Sequence, residues 1–275
     1  MLAHPSSPYP LDQPIAAGRT AEIYAWGEGR VLKLTRPDFP AYLADQEWRN
    51  ALAAWQLGAP APKPFELLEI DGRRGVVFER IQGLNLLQAI LRKPLRLGEY
   101  ARLLARQQAA LHAIPAPMFP SQRQRIQHNL AASAFLAGDQ KQRLLQRLDS
   151  LPDGDKLCHG DFHPENIILT AGGPQIIDWE GCMCGNPSAD VAVTRLWMRC
   201  VPTYARGAAR WLVRQGCNRF ERAYLAEYNR VAPAPAADQP AWIALAAAAS
   251  LRDDNRQHIP ALAPLIKAGL RDSLF

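Results

Sequence analysis

The sequence predicts an α+β protein, with a small β-rich N-terminal part and a larger, mostly helical remainder. Three observations carry this. Short apolar runs separated by turn residues fill the first eighty positions, and apolar residues at helical spacing dominate after Gly83. Between Cys158 and Val193 a stretch of loop residues and one short hairpin interrupts the helical pattern. The two parts are expected to divide as residues 1–81 and 82–275.

In chain order, Ile15 to Ala17, a turn at Gly18, and Ala21 to Tyr24 read as strand, turn and strand. Arg30 to Leu34 is a third strand, with Lys33 set among apolar neighbours. A Lys on an alternating strand ordinarily points to solvent. Only six of the 32 basic residues here are Lys, however, and Glu47 follows fourteen positions later in a helical stretch. That helix is expected from about Asp38 to Leu57, with Pro37 and Asp38 as start signals. Along it Tyr42, Leu43, Trp48, Leu52 and Trp55 recur at helical spacing. Gly58 ends it, and Pro60, Pro62 and Pro64 stiffen the exit. A second hairpin runs from Phe65 to Ile70, turns at Asp71-Gly72, and returns from Gly75 to Ile81. Val76 to Gly83 reads as the crossing between the two parts.

In the interrupting stretch, Asp161 is followed by Asn166 five residues later and Asp178 twelve after that. Between the last two lie Ile167-Ile168-Leu169, a turn at Gly172-Gly173, and a second run through Ile176-Ile177. A hairpin brings its ends together, so Asn166 and Asp178 are expected side by side, with Asp161 on the preceding loop. A carboxylate facing an amide and a second carboxylate suits a base beside a Mg²⁺ site. Mg²⁺ takes a few hard oxygen ligands and shares substrate phosphates.

His159-Gly160-Asp161-x4-Asn166 followed by Ile177-Asp178-Trp179-Glu180 resembles the catalytic core of the aminoglycoside phosphotransferase and choline kinase-like family, whose fold is similar to that of protein kinases. Gly160 where protein kinases have Arg, and Asp-Trp-Glu where they have Asp-Phe-Gly, resemble this branch specifically. So does Gly185-Asn186-Pro187-x2-Asp190. The match is clear in the middle of the chain and poor after about Trp197.

The resemblance implies a bilobal protein kinase-like fold and transfer of the γ-phosphate of ATP to a hydroxyl group. It makes Asp161 the base, and Asn166 and Asp178 the ligands of Mg²⁺. Lys33 paired to Glu47 would hold an ammonium against the α- and β-phosphates. Gly18 would stand in the phosphate-covering turn, and the Glu79 carbonyl and Ile81 amide would meet the adenine edge, with Phe78 as a wall. His163 sits where protein kinases have a Lys that touches the transferring phosphate, and a structural loop role is equally open to it. His159 is expected to pack and bond backbone, and Asp190 to brace the loop. A nucleotide-binding pseudokinase or a protein kinase-like regulator is the alternative. Keeping Lys33, Asp161, Asn166 and Asp178 argues against the first, and the short interval from Asp178 to Asp190 against the second.

Elsewhere Asn85 can cap a short helix before Pro94, and a longer one is expected over about 97–114, with His112 near its end as a capping or packing residue. Further helices are expected near 121–136, 139–148, 204–215, 218–229, 240–250 and 260–270, with a linker at 233–237. The net charge of +6 and pI near 9.2 invite a nucleic-acid reading, but the Arg residues are spread from Arg19 to Arg271 with no dense basic block and no nucleic-acid motif. Five Cys, an odd number with no completed zinc set, suit reduced thiols in a cytoplasmic protein. The amino terminus has no signal-peptide pattern, and the apolar run 241–249 is too short for a bilayer. The expected partners are therefore a nucleotide and a small hydroxylated acceptor, with neither nucleic acid nor membrane.

An aminoglycoside acceptor would need an acidic pocket, for which Glu221, Glu227, Asp238, Asp253 and Asp254 are candidates, and the ending Asp272-Ser273-Leu274-Phe275 loosely resembles that of aminoglycoside 3′-phosphotransferases. A quaternary amine would need an aromatic cage, for which Trp197, Tyr204, Trp211, Tyr224 and Trp242 are available.

Overall fold

The computed structural model describes residues 11, 13–232, 239–251 and 253–271, with backbone alone for 253–255. The expected linker at 233–237, Asp238, the side chains of Asp253 and Asp254, and the ending 272–275 lie outside the described residues. The chain forms two compact units, Met1–Asn85 with Asn166–Gly181, and Leu86–Glu165 with Cys182–Phe275.

The first unit is built on an antiparallel sheet of β1 (Ala16–Ala17), β2 (Ala21–Ala25), β3 (Arg30–Thr35), β4 (Pro64–Ile70) and β5 (Arg73–Glu79), in the order β1-β2-β3-β5-β4. Strand alternation sends Leu32 and Leu34 into a core with Tyr24, Trp26 and Val77. Lys33 lies between them in sequence and therefore on the opposite face. Its cross-strand partner is the buried Val76.

The helix α1 (Tyr42–Gln56) starts later than Pro37 and Asp38 suggest, because Pro40 intervenes and disfavours helix in the residue before it. Its buried face also differs from the aromatic one. Ala44, Glu47, Asn50, Ala51 and Ala54 face inward, while Tyr42 is 61% and Trp55 40% exposed. Small side chains let the helix lie close to the sheet, and the bulky residues are left outside.

The unit is completed by β6 (Leu84–Asn85) and the hairpin β8 (Ile167–Thr170) and β9 (Gly173–Ile176), in the order β6-β8-β9. At Gly83 a Cβ would run into the Leu169 carbonyl, so only glycine permits this approach.

The second unit contains α2 (Leu86–Arg92), α3 (Leu97–Leu111), α4 (Gln122–Ala132), α5 (Gly138–Asp149), α6 (Pro187–Cys200), α7 (Gly207–Val231), α8 (Gln239–Ala249) and α9 (Ile259–Arg271). A short pair not foreseen from the sequence, β7 (Lys156–Cys158) with β10 (Met183–Gly185), brackets the loop that carries Asp161. Ser121 and Asn186 cap α4 and α6 through their side-chain oxygens, as their residue types favour. The separate helices expected near 204–215 and 218–229 are one helix of 25 residues, with Gly216 inside it. The apolar core gathers Leu130, Leu144, Leu148, Leu196, Leu245 and Ile266, and α8 is buried on most sides because it is apolar all round. None of the five cysteines is in a disulfide. No helix of the described residues is long and apolar enough to cross a membrane.

Candidate active site

In the first unit, Lys33 and Glu47 meet. Lys33 Nζ donates to Glu47 Oε1 and to Asp178 Oδ1, both at 2.7 Å. Burial disfavours the ammonium charge, but the two carboxylates more than offset this and hold Lys33 protonated, above the usual lysine range. Burial pushes the Glu47 carboxyl up to about 7, against the pull of Lys33 and with Asp178 adding to the rise. Asp178 itself has a left-handed backbone, φ 69°, a conformation uncommon outside glycine and found at functional sites.

The hairpin places Asn166 beside this group, since the Ile177 amide donates to the Asn166 carbonyl at 3.0 Å and Asp178 is the next residue. Asn50 Nδ2 donates to the Trp179 and Glu180 carbonyls at 3.1 and 3.0 Å, and Gln46 Nε2 to the Glu180 carbonyl at 2.9 Å, so α1 holds the segment just past Asp178. No group of three His, Cys, Asp or Glu that could hold a metal gathers among the described residues. The donors at the hairpin end are one amide and one carboxylate. They are hard oxygens, too few to cage an ion alone, and that set fits Mg²⁺ completed by phosphate and water.

Gly18 lies in the turn between β1 and β2, where its amide donates to the Ala21 carbonyl at 2.8 Å. That amide is taken by the turn and is not available to a phosphate. Glu79 is the last residue of β5, and its amide donates to the Lys63 carbonyl at 2.9 Å. Glu79 and Ile81 line a cavity of about 650 Å³ with Trp55, Pro60, Thr170 and Gln175. Lys33, Phe78 and Asp178 are not among its walls.

In the second unit the Asp161 side chain is 57% exposed, and His163 Nε2 lies 3.4 Å from its Oδ2. The Glu165 amide donates to His163 Nδ1 at 3.3 Å, so the neutral ring carries its proton on Nε2, toward Asp161. Trp197 stacks flat on the His163 ring, with centroids 5.4 Å apart and planes 7° from parallel. The residue before Asp161, Gly160, has φ 79°, which accounts for glycine where protein kinases have Arg.

Behind this loop is a buried polar network. Asp190 accepts from the Gly160 amide at 2.7 Å, the His159 amide at 3.2 Å and Gln108 Nε2 at 2.9 Å. His112 lies with Nε2 3.1 Å from Asp190 and Nδ1 2.6 Å from the Tyr228 hydroxyl. A neutral His112 satisfies both contacts by donating from Nε2 and accepting at Nδ1. These donors hold the Asp190 carboxyl below the usual range although burial acts the other way. Thr194 donates to the Phe162 carbonyl at 2.8 Å, and the Tyr224 hydroxyl donates to Gln108 Oε1. Gln108, Thr194 and Tyr228 were not singled out in the sequence, and Tyr224 only as a candidate for an aromatic cage. They lie on three helices, with no shared spacing to give them away.

The sequence profile of a phosphotransferase enzyme family matches residues 13–234. The chain belongs to that family. No curated protein sequence matches it. Among solved structures, it is similar to aminoglycoside phosphotransferase APH(4)-Ia in complex with ADP and hygromycin B, at 17% identity and TM-score 0.62, covering 95% of this chain and 94% of that one. An amicoumacin kinase in complex with AMP-PNP and Ca²⁺ is similar at 17% identity and TM-score 0.61, over 94% and 87%. A choline/ethanolamine kinase family protein from Mesorhizobium loti is similar at 15% identity and TM-score 0.55, over 97% and 93%. These likenesses establish the kinase-like α+β fold.

In this phosphotransferase the two acidic candidates for an aminoglycoside pocket that lie among the described residues, Glu221 and Glu227, are each bound by two arginines. Glu221 is buried and bound by Arg195 and Arg199, each at 2.9 Å. Glu227 is buried and bound by Arg106 and Arg230, each at 2.9 Å. The aromatic candidates for a cage are also dispersed, with Tyr224 and Trp242 in the core and Tyr204 and Trp211 exposed.

Proposed function

We propose that this phosphotransferase moves the γ-phosphate of Mg·ATP to a hydroxyl of a small molecule, with Asp161 as the base. The observation that carries this reading is Lys33 held between Glu47 and Asp178 at the end of the Asn166 hairpin. A buried ammonium fixed by two carboxylates is positioned to bind anionic oxygens. Glu47 fixes the direction of Lys33 against the α- and β-phosphates, and the Glu79 carbonyl and Ile81 amide take the adenine edge. Gly18 contributes only the smallness of the turn it occupies. Asn166 and Asp178 would hold Mg²⁺, which supplies neutralisation of phosphate charge when bound.

Asp161 accepts a hydrogen bond from the acceptor hydroxyl, orients its oxygen, and takes the proton as transfer proceeds. His163 Nε2 faces one oxygen of that carboxylate. Asp190 keeps the loop in place through the His159 and Gly160 amides.

Slow hydrolysis of Mg·ATP, with water as acceptor, gives a readout that needs no knowledge of the substrate. Asp161→Ala is expected to lower this turnover by about 100-fold or more, while nucleotide still binds in an equilibrium titration. Full turnover in the variant would remove Asp161 from the role of base.

A further inference from the structure

The loop that carries Asp161 lies along one stripe of α6. On that helix Asp190, Thr194 and Trp197 stand at steps of four and three, so their side chains leave the same face. They meet the loop in chain order. Asp190 takes the His159 and Gly160 amides at 3.2 and 2.7 Å. Thr194 donates to the Phe162 carbonyl at 2.8 Å. Trp197 lies flat on the His163 ring, with planes 7° from parallel. The first two contacts hold backbone, and the third holds a side chain. α6 gives Ala189, Ala192 and Leu196 to the apolar core and turns the half-buried Trp197 to the loop.

Asp161 stands among the residues fixed in this way, yet its own side chain is 57% exposed. An exposed carboxylate moves between rotamers, and only some of them align it with an acceptor hydroxyl. His163 Nε2 lies 3.4 Å from its Oδ2. In the neutral ring that nitrogen carries the proton, because Nδ1 accepts from the Glu165 amide at 3.3 Å. The proton points at Asp161 only while the ring keeps its plane. Trp197 closes one face of the ring, and the Glu165 amide selects the edge turned toward the carboxylate. At 3.4 Å the contact is longer than a closed hydrogen bond, as is common at catalytic groups before substrate binds.

We propose that Trp197 is a positioning residue for phosphoryl transfer: it sets the plane of His163, whose Nε2 proton holds the Asp161 carboxylate in the rotamer that receives the acceptor hydroxyl. This rests on the assignment of Asp161 as base, and it gives His163 the carboxylate as its partner in place of the transferring phosphate. In the reaction the acceptor oxygen bonds to the γ-phosphorus and the bond from that phosphorus to the β,γ-bridging oxygen breaks. ADP leaves with the electron pair, and the hydroxyl proton passes to Asp161. Loss of the stack therefore lowers kcat. The KM for Mg·ATP, which follows the Lys33 ion pairs of the first unit, stays in place.

The test is a double-mutant cycle on Mg·ATP turnover by the full chain, with water as acceptor. Trp197→Leu keeps an apolar side chain without a ring face, and is expected to lower kcat by about tenfold with KM unchanged. Trp197→Phe returns a flat ring and is expected to recover most of the loss. In a His163→Ala background Trp197→Leu is expected to change nothing further. Equal losses in both backgrounds, or no loss in the native one, overturn the proposal, because a packing role would not depend on the imidazole. A second readout needs no turnover. In proton–nitrogen NMR of the imidazole rings, the His163 signal, assigned by its disappearance in His163→Ala, is expected to report the Nε2–H tautomer and to shift in both Trp197→Leu and Asp161→Asn. A His163 signal indifferent to Asp161→Asn overturns the proposal whatever the rates. A signal that responds to both variants, in a protein whose turnover survives Asp161→Ala, supports the positioning of Asp161 and overturns its role as base. The same signal in a native chain without turnover supports the positioning and overturns the phosphotransfer reading instead.

Discussion

Glu47 is pulled in two directions, by Lys33 toward ionisation and by burial toward the neutral form, and its carboxyl lies at about 7 in consequence. Two measurements should therefore move in opposite senses with pH. In the unfolded chain this group titrates near 4.5, so between about 4.5 and 7 the folded protein holds a proton that the unfolded one has lost. The stability contributed by Glu47 accordingly falls as pH rises through that window. Nucleotide binding should improve over the same window, because only the ionised carboxylate fixes Lys33. The KM for Mg·ATP is expected to rise as pH drops below about 7 in the native chain. In Glu47→Gln it should stay flat with pH at a level roughly tenfold higher, as expected for losing one charge-assisted hydrogen bond. A pH profile of KM in both proteins checks this, and an unchanged limb in the variant would assign the titration to another group.

Helices α7, α8 and α9 show how one substitution takes opposite signs in different elements. Gly216 lies inside α7 with no other side chain or loop near the position of a Cβ, so Gly216→Ala should stabilise by about 0.5–1 kcal/mol and raise Tm by about 2 °C. Gly269 in α9 faces α8, where a Cβ would strike the Ala244 methyl, so Gly269→Ala should cost about 1–3 kcal/mol. Thermal unfolding of the two variants reads both signs. Much at this scale was legible in the sequence. The hairpin between Asn166 and Asp178 follows from two apolar runs about a Gly-Gly turn, and the Lys33–Glu47 ion pair from the resemblance to a kinase-like core. The inward face of α1 was not legible, since hydropathy marks Tyr42 and Trp55 while the sheet admits only the alanine side. Nor was the continuity of α7, where Gly216 reads as a break although a long stripe from Arg210 to Tyr228 runs through it. The partners of Asp190 were hidden for a third reason, because Gln108 and His112 are 82 and 78 residues away in sequence.

At the scale of the whole molecule, the chain leaves the first unit at Asn85 and returns to it for Asn166–Gly181. Those residues supply Asn166 and Asp178, and they also complete the fold. Leu84 pairs with Leu169, the Ile176 amide donates to the Pro60 carbonyl at 2.6 Å, and Trp179 is 1% exposed with its carbonyl bonded to Asn50. Residues 1–85 expressed alone should therefore lack a cooperative thermal transition. Joining 166–181 to them through a flexible linker should restore one. A sharp melt from 1–85 alone, followed by circular dichroism, would show that the returning segment is dispensable. The same threading bears on how the protein is made. Synthesis delivers residues 1–85 first, and residues 86–181 must then be translated, which at about 5–20 residues per second takes roughly 5–20 s. For that interval β6 has no neighbouring strand and the Asn50 amide has nothing to cap. The first unit thus waits on the ribosome unfinished until its returning segment has been made.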